Sequence, residues 1–150
     1  MKTLAVSLVA LSTLLAGGNA LADAKADRLV KQRQAVMVLM SKYFGPMGNM
    51  SKGKLPYNAE VVKRNTAYID ALSQMAWDGF KPNTKDSKSR ALPAVYSQSD
   101  KFLAEQEKFQ DNVMKLRTMV DRSDQDILGQ ITKVSKDCGS CHKTFRAKKK

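Results

Sequence analysis

The sequence has few of the residues that polar catalytic sites and disulfide-stabilised folds require. Its 150 residues include one His and two Cys, and the Cys are only three positions apart. A disulfide between Cys138 and Cys141 would close a loop too small to constrain the chain. With a single His and no cluster of carboxylates, the sequence offers little acid–base chemistry. We therefore expect a protein that is not an enzyme, whose two Cys have a chemical use.

Acidic residues are also scarce, with 14 Asp and Glu against 26 Lys and Arg and a formal net charge of +12. The basic residues are spread along the chain, and the one dense cluster is 146–150. This balance favours solubility and can steer anionic partners. It does not by itself predict nucleic-acid binding, and we expect none. We interpret the final cluster as a solvated tail in preference to a docking patch.

Long apolar runs are absent except near the N-terminus. Lys2 precedes an apolar run from Leu4 to Ala16, and Ala20-Leu21-Ala22 fits the small-x-small cleavage pattern of a signal peptide. The run is short for a membrane span, so we favour a signal peptide over an uncleaved anchor. We predict that residues 1–22 are removed on export to the periplasm. The mature domain, 23–150, then loses the charge of Lys2, carries +11 and has no membrane segment.

Four stretches of the chain place apolar residues three and four positions apart, as in amphipathic helices. Gly45-Pro46 is expected to stop the first, and Asn58 to cap the start of the second. Ser123 and Asp126 resemble a capping box before the fourth. The stretches run from about 23 or 25 to 44, from 59 to about 78, from about 97 or 99 to 120, and from 124 to 145.

The same pattern predicts how the helices pack. Residues 81–93 are polar and contain two Pro, so we interpret them as a surface loop. No stretch alternates convincingly with period two, so strands are not expected. Four amphipathic helices of about 20 residues bury their apolar faces most simply in an antiparallel four-helix bundle. We therefore predict an all-α fold.

Both Cys belong to the motif Cys138-Gly139-Ser140-Cys141-His142, which is the attachment signature of c-type haem. On a helix the two thiols lie on one face and can reach two vinyl groups of one porphyrin, while His142 can serve as the axial iron ligand. A thioredoxin-like dithiol would sit at a helix N-terminus after a strand. A zinc site would need four ligands. We favour covalently bound haem c over both alternatives.

The motif lies on the last predicted helix, close to the C-terminus, and in this the chain resembles the cytochrome c′ family of high-spin class II c-type cytochromes. The resemblance extends over essentially the whole mature chain. It rests on Arg33-Gln34 followed by Met37, Pro56-Tyr57, Trp77-Asp78-Gly79-Phe80, Phe109-Gln110-Asp111-Asn112 and the residues from Cys138 to Arg146.

The resemblance implies roles for further residues around the haem. Arg33 and Gln34 match the pair that lies near the haem propionates. Arg146 follows His142 by four residues, where the family often has a basic residue beside the proximal face. Trp77 and Phe80 would help to wall the pocket.

The resemblance also implies a five-coordinate iron, with His142 as its sole strong ligand and Met37 in the distal position. Such a site would bind NO and CO and could transfer electrons. The alternative is a low-spin His142/Met37 haem that acts mainly as an electron carrier for a redox protein partner. We favour a non-ligating Met37. A homodimer is the expected assembly.

Overall fold

The computed structural model describes residues 14–148, most of which are helical. The helices are α1 (Leu14–Met50), α2 (Ala59–Met75), the short α3 (Ala94–Ser97), α4 (Ser99–Thr118) and α5 (Asp124–Phe145). Helix α1 packs mainly against α2 and α5, and α4 packs against the same two helices. Over residues 14–148 the only β pairing is an isolated antiparallel bridge between Ala91 and Arg146. The predicted all-α four-helix bundle is confirmed.

Two predicted helix starts are confirmed by side-chain caps. Asn58 Oδ1 accepts a hydrogen bond from the Val61 N–H at 2.9 Å at the start of α2. Ser123 Oγ accepts from the Asp126 N–H at 3.4 Å and donates to Asp126 Oδ2 at 2.6 Å at the start of α5. These bonds satisfy amides that a helix N-terminus leaves without an intrahelical partner.

The predicted stop at Gly45-Pro46 is wrong. Helix α1 continues to Met50 with Pro46 inside it, and the chain turns afterwards at Gly53, whose φ is +68°. Met47 is fully buried and Met50 is 7% exposed. Burying each side chain contributes about 1.5–3 kcal/mol, which offsets the roughly 3 kcal/mol cost of a Pro in a helix. Tertiary packing therefore extends the helix past its local stop signal.

The N-terminal part of α1 runs through the predicted cleavage point after Ala22 as continuous helix. Residues 1–13 of the predicted signal peptide lie outside the described residues, so cleavage stays a prediction. Within residues 14–148, no helix is both long enough and apolar enough to cross a bilayer.

The apolar interior divides into two clusters along the bundle. The larger one, here called the aliphatic core, lies where α1 ends, α2 begins, α4 ends and α5 begins. The smaller one, here called the aromatic end, contains Val95, Phe102 and Phe145, with Trp77 and Phe80 packed against them. The buried members of the aliphatic core are Met47, Met50, Val62, Ile69, Phe109, Val113, Leu116, Ile127, Ile131 and Val134.

Candidate functional site

A cavity of about 720 Å³ lies between α1, α4 and α5, beside the aromatic end. Its volume falls within the range of small-molecule and cofactor pockets, about 300–1,000 Å³. The bundle brings all of the sequence-predicted site residues to this one cavity. They are Arg33, Gln34, Met37, Trp77, Phe80, Cys138, Cys141, His142 and Arg146.

The two thiols lie on the cavity side of the C-terminal half of α5, where both are free and partly buried. Burial raises the pKa of each to about 11, and Asp137 adds to the effect at Cys138 as Glu105 does at Cys141. A redox dithiol needs the opposite, a thiol whose pKa is lowered. This environment disfavours the thioredoxin-like alternative and leaves two neutral thiols facing the cavity.

The imidazole of His142 is partly buried next to the cavity. Burial lowers its pKa, and the nearby cations Arg146 and Arg90 lower it further. Neutral imidazole is the form that coordinates a metal. Within residues 14–148, no three His, Cys, Asp or Glu side chains cluster as a protein-only metal site would require. The arrangement therefore fits an iron that is brought by a porphyrin rather than a zinc site.

Aromatic rings form one wall of the cavity. The Phe102 ring lies 4.9 Å from that of Phe80, 5.2 Å from that of Phe145 and 5.8 Å from that of Trp77, measured between centroids. The Trp77 indole N–H donates to Ser73 O at 2.6 Å, which fixes the ring. Phe102 belongs to the apolar spacing that predicts the third helical stretch, and no place on the cavity was predicted for it. Its helical spacing is the same for a core residue and for a cavity-lining residue, so only the folded structure distinguishes the two roles.

Helix α1 supplies the wall opposite α5. Met37 is partly buried on the cavity, and Met40 and Phe44 line it one and two turns further along. Gln34 also lines the cavity and is exposed to solvent at its rim. The part of this wall nearest Met37 is therefore largely apolar, and its polar side chains Gln34 and Ser41 are both exposed to solvent.

Arg33 is a buried cation, only 4% exposed, at the edge of the cavity. Its guanidinium donates to Gly79 O at 2.7 Å, to Ser89 Oγ at 2.8 Å and to Thr84 Oγ1 at 3.2 Å. It also lies over the Phe80 ring, 4.4 Å from the centroid. None of these partners is an anion. Because a buried charge is costly without a counter-charge, this site fits an anionic group that enters the cavity.

The loop prediction for residues 81–93 is only partly right. Residues 82–84 form a 3-10 turn, and Thr84 is 1% exposed with its hydroxyl 2.9 Å from that of Tyr96. Gly79 permits this packing, because a Cβ there would lie 2.6 Å from both Arg33 Cβ and Leu29 O. The segment is a polar cradle for Arg33, and its Ser and Thr gave no periodic signal in the sequence.

Arg146 follows α5 and pairs with Ala91 through the isolated bridge. Ala147 N–H donates to Arg90 O at 2.8 Å, and the Arg90 guanidinium donates to Ala147 O at 2.8 and 3.0 Å. The backbone at the start of the basic C-terminal cluster is therefore tied to the 81–93 segment, while the side chains of Arg146 and Lys148 are exposed, as expected of a solvated tail. Residues 149 and 150 of the cluster lie outside the described range.

Comparison with known proteins identifies the family. Residues 28–146 match the cytochrome c′ family. Cytochrome c′ of Alcaligenes xylosoxydans xylosoxydans is 36% identical over 127 residues, covering 84% of this chain and 98% of that protein. The solved cytochrome c prime from Shewanella frigidimarina has a TM-score of 0.76 at 30% identity, covering 84% of this chain and 97% of that one. A mutant of cytochrome c prime from Alcaligenes xylosoxidans, solved as a nitric oxide complex, has a TM-score of 0.74 at 34% identity, covering 83% and 97%. This chain belongs to the cytochrome c′ family, whose proteins carry covalently attached haem c with iron.

Proposed function

We propose that this c-type haem protein binds uncharged diatomic gases, NO and CO, at a five-coordinate iron. The observation that carries the proposal is the asymmetry of the cavity. His142, the only His of the chain, lies on the α5 side, and the α1 side around Met37 is largely apolar. An open iron position against an apolar wall favours uncharged ligands over anions.

Each part of the motif has its own task at this site. Cys138 and Cys141 would hold the porphyrin covalently, and the neutral imidazole of His142 would ligate the iron. The bound haem supplies an iron that can take a gas ligand and exchange one electron. Arg146, four residues after His142 on the cavity, modulates the proximal side. Trp77 and Phe80 exclude water from the porphyrin face.

Arg33 and Gln34 bind the haem propionates in this proposal. Support comes from the burial of Arg33 among neutral acceptors, which leaves its charge to be balanced by an anion. Ser89, Thr84 and the Gly79 carbonyl orient the guanidinium before the carboxylate arrives. Such a preset donor loses less entropy on binding than a mobile surface Arg.

Met37 blocks the distal side without ligating the iron. The low-spin alternative, with Met37 as the sixth ligand and electron transfer as the main role, is not favoured, because the relatives named above are cytochromes c′. One of these, in mutant form, was solved with nitric oxide bound.

An absorption spectrum of the purified holoprotein tests the proposal. We expect a high-spin spectrum in the resting oxidised state and a clear change when NO is added to the reduced state. Met37→Leu should leave the resting spectrum high-spin. A low-spin resting spectrum that becomes high-spin in Met37→Leu would instead support the electron carrier.

We further propose that the mature protein begins at Asp23 in the periplasm and forms a homodimer. N-terminal sequencing of the exported protein tests the first point. The exposed apolar side chains of Val38 and Leu39 on α1 support the second, and sedimentation of the holoprotein tests it. Electron exchange with an anionic redox partner is compatible with the basic charge.

A further inference from the structure

Asp137, the residue before Cys138, is a buried carboxylate on the wall of the cavity, and only 2% of it is exposed. Its Oδ2 accepts a hydrogen bond from Asn112 Nδ2 at 2.7 Å. Its Oδ1 lies 3.1 Å from the ammonium of Lys108. Burying a carboxylate costs free energy even when it is paired. An Asp at this position beside the cavity is therefore unfavourable for stability, which points to a role in function.

The partners of Asp137 are themselves held in place. Gln130, also buried, donates through Nε2 to Asn112 O at 2.9 Å and to Asn112 Oδ1 at 3.1 Å. With its oxygen engaged by Gln130, the amide of Asn112 presents its N–H₂ group to Asp137. The network therefore fixes the carboxylate between α4 and α5.

The ion pair is asymmetric with respect to the cavity. The Asp137 side chain is 3% exposed, whereas that of Lys108 is 53% exposed and does not line the cavity. Solvent and salt screen the ammonium far more than the carboxylate. Inside the cavity, the negative charge of Asp137 therefore outweighs the positive charge of Lys108. The field of Asp137 also helps to raise the pKa of the Cys138 thiol.

We propose that the buried negative charge of Asp137 lowers the reduction potential of the haem iron, and that Lys108 partly offsets this charge. The proposal rests on haem attachment at Cys138 and Cys141. Reduction takes one electron from a one-electron donor, converts Fe(III) to Fe(II) and lowers the charge of the centre by one, with no protein bond made or broken. A fixed negative charge in a site of low dielectric favours the more positive ferric form.

Spectroelectrochemical titration of the holoprotein tests the proposal with two variants of opposite sign. Asp137→Asn keeps the shape and removes the negative charge, so the potential should rise, with the ferrous-to-ferric ratio increasing about tenfold, which is about 59 mV for one electron. Lys108→Gln removes the positive charge, so the potential should fall by a smaller amount. At high salt, the shift in potential of Asp137→Asn should persist more fully than that of Lys108→Gln, because the buried carboxylate is screened less than the exposed ammonium.

Lys63→Gln is the matched control, because Lys63 is an exposed Lys paired with Asp121 at 3.6 Å and does not line the cavity. It loses the same charge as Lys108→Gln and should leave the potential unchanged. A purely structural network would move the potentials of Asp137→Asn and Lys108→Gln in the same direction, or not at all, and either result overturns the proposal.

Two further outcomes are distinguishable. If Asp137→Asn fails to accumulate holoprotein, Lys108→Gln still decides, since a potential equal to that of Lys63→Gln overturns the proposal. If the unmodified protein carries no covalent haem, the proposed function fails. A normal high-spin haem whose potential ignores Asp137 contradicts only this inference.

Discussion

The two ends of the bundle are built from different residue types. In the aliphatic core, Val62, Val113, Ile127 and Ile131 are completely buried and belong to one cluster built from several helices. At the aromatic end, rings about 5–6 Å apart stand beside a cavity of about 720 Å³. Atoms that face a void lose dispersion contacts that a filled core retains. The comparison teaches that protein alone fills most of the aliphatic core, whereas the haem fills the cavity beside the aromatic end, which Ile69 and Phe109 of the aliphatic core also line.

The largest expected effect is at the aromatic end, where removing the two Cys should abolish covalent attachment of the haem. We expect Cys138→Ala combined with Cys141→Ala to abolish covalent haem, so that all remaining haem is extracted into acidified butanone. Ser140→Ala, between the two Cys, should keep its haem. Haem that survives extraction from the double variant would contradict attachment at this motif.

Enlarging a void in the aliphatic core should cost stability without touching the haem. Ile131→Ala should lower the free energy of unfolding by about 2–5 kcal/mol, because it leaves a cavity in a fully buried site. Urea denaturation of the holoprotein measures this, and the absorption spectrum should stay that of the unmodified protein. Met75→Ala, at a position 54% exposed, serves as the control and should change stability by less than about 0.5 kcal/mol. A changed spectrum in Ile131→Ala would show that the two ends are not separate.

A methyl group at Gly79 should disturb the aromatic end through the Arg33 cradle. Its Cβ would lie 2.6 Å from the backbone oxygen of Leu29 as well as from Arg33 Cβ, so the turn must shift. We expect Gly79→Ala to destabilise the holoprotein by about 1–3 kcal/mol, the usual cost of overpacking. Gly129→Ala, in an open position within α5, should instead stabilise it by about 0.5–1 kcal/mol. Equal effects of the two substitutions would refute this reading of Gly79.

The smallest expected effect lies at the helix caps near the aliphatic core. Asn58→Ala should cost about 1 kcal/mol, because it removes the side chain that accepts from the Val61 N–H at 2.9 Å. Ser123→Ala should cost less, since its bond to the Asp126 N–H is longer, at 3.4 Å, and its second bond, to Asp126 Oδ2 at 2.6 Å, joins two exposed side chains and satisfies no backbone amide. Thermal unfolding of the two variants in parallel compares their losses of stability, and a larger loss in Ser123→Ala than in Asn58→Ala would contradict this prediction.

The sequence was informative wherever a feature is local. The caps at Asn58 and Ser123 and the haem motif of α5 depend on residues within one or two turns of each other. The end of α1 was not predictable, because the local stop signal at Pro46 is overridden by the burial of Met47 and Met50 against residues far from them in the chain. The polar cradle of Arg33 was missed for the same reason, since its partners lie 46 or more residues away.

The sequence contains a partial signal of the Asp137 network. Gln130 and Asp137 follow Ile127 and Val134 by three positions, which places both on the buried side of α5. Polar residues on an otherwise apolar face predict buried partners. Their identity, Asn112 and Lys108 of α4, depends on the register between two helices, and no local pattern contains that register.

The bridge between Ala91 and Arg146 has a consequence for how the molecule opens. Leu92 N–H donates to Phe145 O at 2.9 Å, and Ala147 N–H donates to Arg90 O. The last turn of α5, which begins at His142, therefore cannot fray like an ordinary chain terminus without breaking these bonds. We expect the amides of Leu92 and Ala147 to exchange with deuterium at a common rate, as parts of one cooperative unit that includes His142, the proposed iron ligand.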